Sequence, residues 1–299
     1  MRLTSRAPRA PDPRPLLPFS WLLSALFACN LVVGCAVDPE ADAWDETPDA
    51  LPQEATATTC TRGGAAVADT PRVFVVGDST ASSYAANLAP RTGWAQALPS
   101  FFTPACASVQ NRALSGRSSK SFWDEGAFDA VKSALRKGDY LLIQFGHNDE
   151  KDEDRARFTS PFSTYQTYLS RYIDEARAKG ATPLLLTPIQ RNKWSGGKLA
   201  DTHGSYPDAM RQLAAKRGIA LVDASALTKA YFERIGQAAT TKLFMNLAPR
   251  ESPNYPGGNQ DDTHLQERGA RAVAQLVLAD LARQQLPLGS LVKAVVKAP

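Results

Sequence analysis

From residue 72 onward, short aliphatic or β-branched runs alternate with longer stretches in which apolar residues recur every three or four positions. The runs at 73–77, 107–111, 140–145, 183–187 and 219–222 have the length of strands, and their near-continuous apolar character fits strands buried on both faces. The run at 107–111 is the weakest of them. Between the runs, Phe162, Tyr165, Leu169, Tyr172, Ile173 and Ala176 share one helix face, and Ser160-Pro161 supplies a start signal. Near the end, Ala270, Val273, Ala274, Val277, Leu278 and Leu281 make a second stripe. Both stripes read as core, with no cofactor role. Strands alternating with helices predict an α/β fold, a parallel sheet of five strands covered on both faces. No internal repeat or second domain is visible, and about 215 residues are ample for one such core. Segments 195–206 and 247–260 break the pattern with Gly, Pro and polar residues, and long loops in a compact α/β body often shape a site.

The beginning of the chain reads differently. Residues 16–33 are apolar, carry Pro18, Ser20, Ser24 and Asn30, and follow Arg2, Arg6, Arg9 and Arg14, which is the pattern of an export signal. The segment ends in Leu31-Val32-Val33-Gly34-Cys35, which resembles a bacterial lipoprotein cleavage box with Cys35 as the acylated first residue of the mature chain. Cleavage of a soluble signal nearby, leaving Cys35 incidental, is the alternative. Charge divides the chain along the same line. Residues 1–34 carry a net charge of +3, residues 36–71 hold only Arg62 against eight acidic residues for −7, and the remainder carries +8. The acidic stretch has few large apolar residues and several prolines, too little to offset its ordering entropy, so 35–71 is expected to be a flexible tether. The predicted organisation is a signal at 1–34, this tether, a folded domain at 72–286 and a tail at 287–299.

A basic body favours polyanionic partners, although scattered surface Lys and Arg give the same sum. No nucleic-acid partner is expected, membrane contact only through the lipid anchor, and a monomer. With Cys29 in the signal and Cys35 as anchor, Cys60 and Cys106 are left as a disulfide pair for an oxidising compartment. No CxxC spacing occurs among the cysteines, so a structural zinc or other metal site held by them is not expected.

In open α/β sheets ligands sit beyond the carboxyl ends of the strands, so chemistry is sought there. Those positions read Gly77-Asp78-Ser79, then Asn111 through Gly116, then Gly146-His147-Asn148-Asp149, and finally Asp261-Asp262-Thr263-His264 ahead of the last helix. Serine is a poor nucleophile until a base takes its proton, and that base needs an acid to fix its tautomer. Asp261 and His264 can pair in one loop while the other imidazole nitrogen faces Ser79. The backbone N–H groups of Ser79 and Gly116 and the Asn148 amide are candidate oxyanion donors. Each piece alone is ordinary turn chemistry, and the collinear set of four shifts the balance. Asp78 reads as a turn-fixing residue, Asp262 misses the Asp-x-x-His spacing by one, and His147 orders its own loop. A competing reading is metal-dependent hydrolysis through His147, Asp149, His203 and His264, although no helix carries His at i and i+4.

The segments VFVVGDST, NRALSGRSSKSF, QFGHND and DDTHL resemble the four blocks of the SGNH, or GDSL, hydrolases. Within that superfamily the resemblance to bacterial rhamnogalacturonan acetylesterases extends through LLLTPIQRNKW, DTHGSYPDAMRQLA, TKLFMNLAPRESPNYPGG and DDTHLQERGA, nearly all of 72–283. It implies a flavodoxin-like three-layer α/β/α sandwich around a five-stranded parallel sheet, without a cofactor. It implies Ser79 as nucleophile, Asp261 and His264 as the rest of a triad, and Ser79, Gly116 and Asn148 as the oxyanion hole. The expected activity is that of an exported serine esterase, removing acetyl groups from an acidic pectic polysaccharide. Alternatives are the same chemistry on acetylated xylan, another glycan or a lipid, and an inactive carbohydrate-binding module. Trp194, Tyr206, Tyr255 and His203 are candidate sugar contacts, and Arg117, Arg191, Lys193 and Arg250 are candidate partners for galacturonate carboxylates. All of them read equally well as loop surface.

Overall fold

The computed structural model describes residues 70–293 and Pro299, together with the backbone of two short paired segments, Thr61–Arg62 and Ala65–Ala66. The expected signal, Cys35 and Cys60 lie outside the described residues, as does most of the expected tether. Cys106 is disulfide-bonded.

The sheet is built from β1 (Arg72–Gly77), β2 (Ser108–Asn111), β3 (Tyr140–Gln144), β4 (Thr182–Leu186) and β5 (Leu221–Val222). The strand order is β2-β1-β3-β4-β5, and every pairing is parallel. Flanking it are α1 (Trp94–Ala97), α2 (Ser119–Asp124), α3 (Asp129–Ala134), α4 (Gln166–Ala178), α5 (Tyr206–Arg217), α6 (Ala224–Thr241) and α7 (Glu267–Arg283). The result is a three-layer α/β/α sandwich.

Two cores follow from the pleat, because successive side chains of a strand point to opposite faces. Val73, Val75, Leu142, Leu184 and Leu186 enter one core with Trp94, Phe232 and the α7 stripe. Phe74, Val76, Leu141, Ile143 and Leu185 enter the other with Phe122, Val131, Tyr172 and Met210. Each fully buried aliphatic or aromatic side chain of this kind contributes on the order of 1.5–3 kcal/mol.

Two expectations need correction. Phe162 is 52% exposed and does not join its stripe. The first turn, Pro161–Tyr165, is a π-turn, which advances the phase so that Tyr165 is buried while Phe162 meets solvent. The expected tail also belongs to the body. Pro287–Leu291 forms a 3₁₀ turn whose Leu288 and Leu291 are buried against the α7 core, and the Lys293 N–H donates to the Phe101 carbonyl.

The chain leaves β1 toward β2 on one side and returns to β3 on the other. At such a reversal the loops diverge and leave a crevice beyond the strands. The geometry there is tight. A side chain at Gly77 would come within 2.6 Å of the Gln144 carbonyl of β3, so only glycine lets the chain turn at this point.

Candidate active site

Ser79 follows β1 in a turn closed by Ala81 and Ser82 N–H groups donating to the Asp78 carbonyl, and the serine is 7% exposed. Asp78 is buried. Its Oδ1 accepts from the Thr80 N–H at 2.9 Å and the Thr80 hydroxyl at 2.7 Å, which holds the turn. The Tyr84 hydroxyl donates to the Ser79 carbonyl at 2.6 Å.

Gly116 lies in the loop after β2, which is laced to β1 by the Leu114 N–H donating to the Gly77 carbonyl. Its φ of +78° is a conformation that favours glycine. Asn148 follows β3, and its Nδ2 donates to the Arg117 carbonyl at 3.0 Å. The Asn148 Oδ1 accepts from Arg157 at 3.4 Å, and Arg157 is held in turn by Asp154 at 2.6 Å. These partners fix which end of the amide is nitrogen and leave its second N–H uncommitted.

The fourth loop carries the candidate acid and base. Asp261 Oδ2 lies 2.7 Å from His264 Nδ1, and its Oδ1 accepts from the Thr263 and His264 N–H groups. Burial alone would raise the Asp261 pKa. The His264 hydrogen bond and charge, with the two backbone donors, outweigh it and hold the carboxyl at about 2. Asp262 turns elsewhere, accepting from Lys193, Asn192 and Asn246. Asn246 clamps the loop by also accepting from the Asp261 N–H at 3.1 Å.

A segment between β1 and α1 joins the serine loop to the histidine loop. Thr92 N–H donates to the Leu265 carbonyl, Trp94 N–H to the Thr80 carbonyl, and the Arg91 guanidinium lies 3.4 Å from Asp261 Oδ2. The same guanidinium sits 5.0 Å over the Tyr84 ring. The short-range patterns of the sequence point to none of Tyr84, Arg91, Arg157 or Asn246: the partners of Arg91 and Asn246 are distant along the chain, and those of Tyr84 and Arg157, though near, are fixed by loop geometry that carries no periodic signal.

Asp149, next to Asn148, is completely buried. It accepts from the Ser119 N–H and hydroxyl at the start of α2 and from the Thr159 hydroxyl, tying the β3 loop to the segment that carries Gly116. Burial pushes its pKa up to about 7 against these hydrogen bonds. His147 lies with Nδ1 3.3 Å from Asp78 Oδ2 without a hydrogen bond, and burial lowers it to about 4, so it is neutral at ordinary pH.

The candidate substrate contacts divide. His203 is 2% exposed, its ring nitrogens on Glu150 and the Ile189 carbonyl, and Arg191 pairs with Glu150. Tyr206 is 6% exposed, with its hydroxyl against the Asp149 and Thr159 carbonyls. These three were expected to meet sugar and are instead occupied inside the protein, bracing the loop after β3. Lys193 is taken up by Asp262. Trp194 is half-buried on a two-residue hairpin, Tyr255 donates to the Leu88 carbonyl, Arg117 pairs with Glu125, and Arg250 is exposed. Among the described residues no three His, Cys, Asp or Glu side chains are grouped so as to hold a metal ion.

A parallel α/β/α sandwich with a serine at the β1 exit and an Asp–His pair ahead of the last helix has the form of a hydrolase. The chain belongs to the GDSL-like Lipase/Acylhydrolase family, which it matches over residues 75–272, and it is a carboxylic ester hydrolase. It is 42% identical over 218 residues to rhamnogalacturonan acetylesterase RhgT of Bacillus subtilis, covering 73% of this chain and 92% of the relative. Identity to the probable rhamnogalacturonan acetylesterase YesY of the same organism is 36% over 216 residues, covering 72% and 94%. Among solved structures, that of B. subtilis YxiM is similar with a TM-score of 0.61 at 27% identity, covering 75% of this chain and 59% of that one. The acetylxylan esterase Axe2 of Geobacillus stearothermophilus shares the fold, with a TM-score of 0.51 at 18% identity over 71% of this chain and 94% of that one.

Proposed function

We propose that this protein is an exported serine acetylesterase acting on an acidic pectic polysaccharide such as rhamnogalacturonan. The observation that carries the chemistry is the 2.7 Å Asp261–His264 hydrogen bond in the loop ahead of α7. The substrate class is supported by the names of the relatives that match over most of their own length. Export is supported by the basic and apolar N-terminal pattern, and Cys35 is the proposed lipid attachment point.

In this reading His264 accepts the Ser79 proton as Ser79 Oγ attacks the acetyl carbonyl. Asp261 holds the imidazole tautomer and stabilises the imidazolium. The Ser79 and Gly116 N–H groups and the free Asn148 N–H stabilise the oxyanion. Collapse expels the sugar oxygen, which takes the proton from His264 and leaves an acetyl ester on Ser79. Water, deprotonated by His264, then attacks that ester; the new tetrahedral species expels the serine oxygen, which takes the proton back from His264, and the product departs as acetic acid, which ionises to acetate in solution.

Acetate release by the purified protein from acetylated rhamnogalacturonan and acetylated xylan, with Ser79→Ala as control, tests the reading. Preferential release from the pectic polymer, abolished in the variant, is the expected result. Preferential release from xylan overturns the substrate, and undiminished release by the variant overturns the nucleophile.

A further inference from the structure

A cleft of about 570 Å³ opens beside the catalytic loops, its lining including Tyr84, Arg91, Thr92, Ser100, Glu267 and Arg271. Two of these residues touch the catalytic apparatus directly. Tyr84 holds the Ser79 carbonyl, and Arg91 pairs with Asp261. A ligand in the cleft therefore lies one residue away from the turn of Ser79 and from Asp261, and the volume is that of a small-molecule site.

The lining mixes small apolar residues with polar ones, and its charged groups are two guanidinium groups against one carboxylate. Arg271 is exposed, lies 5.3 Å over the Phe101 ring, and has a single long hydrogen bond of 3.3 Å to the Ser100 hydroxyl. Its fork of N–H donors is thus held in place by stacking yet largely uncommitted, which is the state that suits bidentate capture of a planar carboxylate. Arg91 adds positive charge and a buried Nε–H without an acceptor. Hydroxyls of Thr92 and Ser100 and the Glu267 carboxylate offer partners for sugar hydroxyls.

We propose that this cleft is a subsite for a carboxylate-bearing sugar unit further along the polymer from the acetylated one, with Arg271 as its carboxylate contact and Arg91 as supporting charge. The proposal rests on the pectic-esterase reading above, but its test does not depend on turnover. It also makes Arg271, on the exposed side of α7, a determinant of polymer choice that no part of the ester chemistry requires.

The test is calorimetric titration of the intact protein with a de-esterified rhamnogalacturonan oligosaccharide, and with the same oligosaccharide after reduction of its carboxyls to alcohols. The carboxylated ligand should bind about tenfold more tightly than the reduced one, and Arg271→Gln should remove that difference. Lys216→Gln makes the same charge change on an exposed site of α5, across the sheet, and should leave it intact. Equal affinities for the two ligands, no binding of either, or an unchanged preference in Arg271→Gln would overturn the subsite. Acetate release without this preference removes the subsite alone, whereas the preference without acetate release removes the esterase reading alone.

Discussion

Arg91 and His264 converge on the same oxygen: Asp261 Oδ2 lies 2.7 Å from the imidazole Nδ1 and 3.4 Å from the Arg91 guanidinium. The arginine is also stacked over Tyr84, which grips the Ser79 carbonyl. Arg91 thus couples Asp261 to the turn of Ser79, and in the proposed mechanism it is a positioning residue. The pair is partly exposed and long, so Arg91→Gln should lower kcat on a small acetyl ester by roughly fivefold, equivalent to about 1 kcal/mol. Arg91→Lys should recover part of the loss. Steady-state kinetics decide it, and a change confined to KM would contradict the coupling.

The neighbouring aspartates should separate cleanly. Asp261→Asn removes the acceptor that fixes the His264 tautomer, and a loss of kcat on the order of 10⁴-fold is expected by analogy with serine proteases. Asp262→Ala instead deletes acceptors for Lys193, Asn192 and Asn246. Each is worth about 1 kcal/mol, so it should lower the thermal midpoint more than it lowers kcat. Parallel melting curves and turnover numbers for the two variants check the assignment.

At the oxyanion side, Asn148→Ala should cost on the order of 10²–10³-fold in kcat. Arg157→Ala acts only through the orientation of the Asn148 amide. It should reduce kcat several-fold, with KM for a small ester unchanged. An Arg157 variant as damaged as the asparagine variant would mean that the arginine itself meets the substrate.

Asp149 gives a prediction in pH. Its carboxyl is raised from 3.8 to about 7 in the folded protein, so between about pH 4 and 7 the folded state holds more protons than the unfolded one. Stability contributed by this group is therefore full below about pH 4 and declines as pH rises through about 7. His147, lowered to about 4, acts in the opposite sense over part of the same window, so the informative quantity is a difference. Relative to wild type, Asp149→Asn should gain stability progressively from pH 4 to pH 7. Urea midpoints at the two ends of the range measure it, and a constant offset would show that Asp149 does not titrate there.

Much of this architecture is written in local pattern. The central strands are continuous apolar runs because both faces are covered, whereas Ser108–Asn111 is half-buried at the sheet edge and reads weakly for that reason. Phe162 misled because a π-turn changes the phase that a regular helix would keep, and the docking of Leu288 and Leu291 depends on a surface that only the finished core provides. The placement of Ser79, Gly116 and Asn148 after strands, and the pairing of Asp261 with His264, were legible from the collinear order of the four segments, since each alone reads as ordinary turn chemistry. The interior placement of His203 and Tyr206 was not, since a loop tyrosine or histidine looks the same on paper whether it faces sugar or a carbonyl. Arg91 and Asn246 stayed hidden for a related reason, as their partners are chosen by the closed fold.

Ser79, the proposed nucleophile, follows the first strand of the sheet, while Asp261 and His264, its proposed acid and base, stand just ahead of the last helix, pinned by the Met245 N–H donating to the His264 carbonyl. No contiguous fragment short of nearly the whole body contains both halves. Turnover is therefore an all-or-none gauge of refolding: a chain with its central strands formed but α7 undocked would register in far-ultraviolet dichroism and remain silent in an esterase assay.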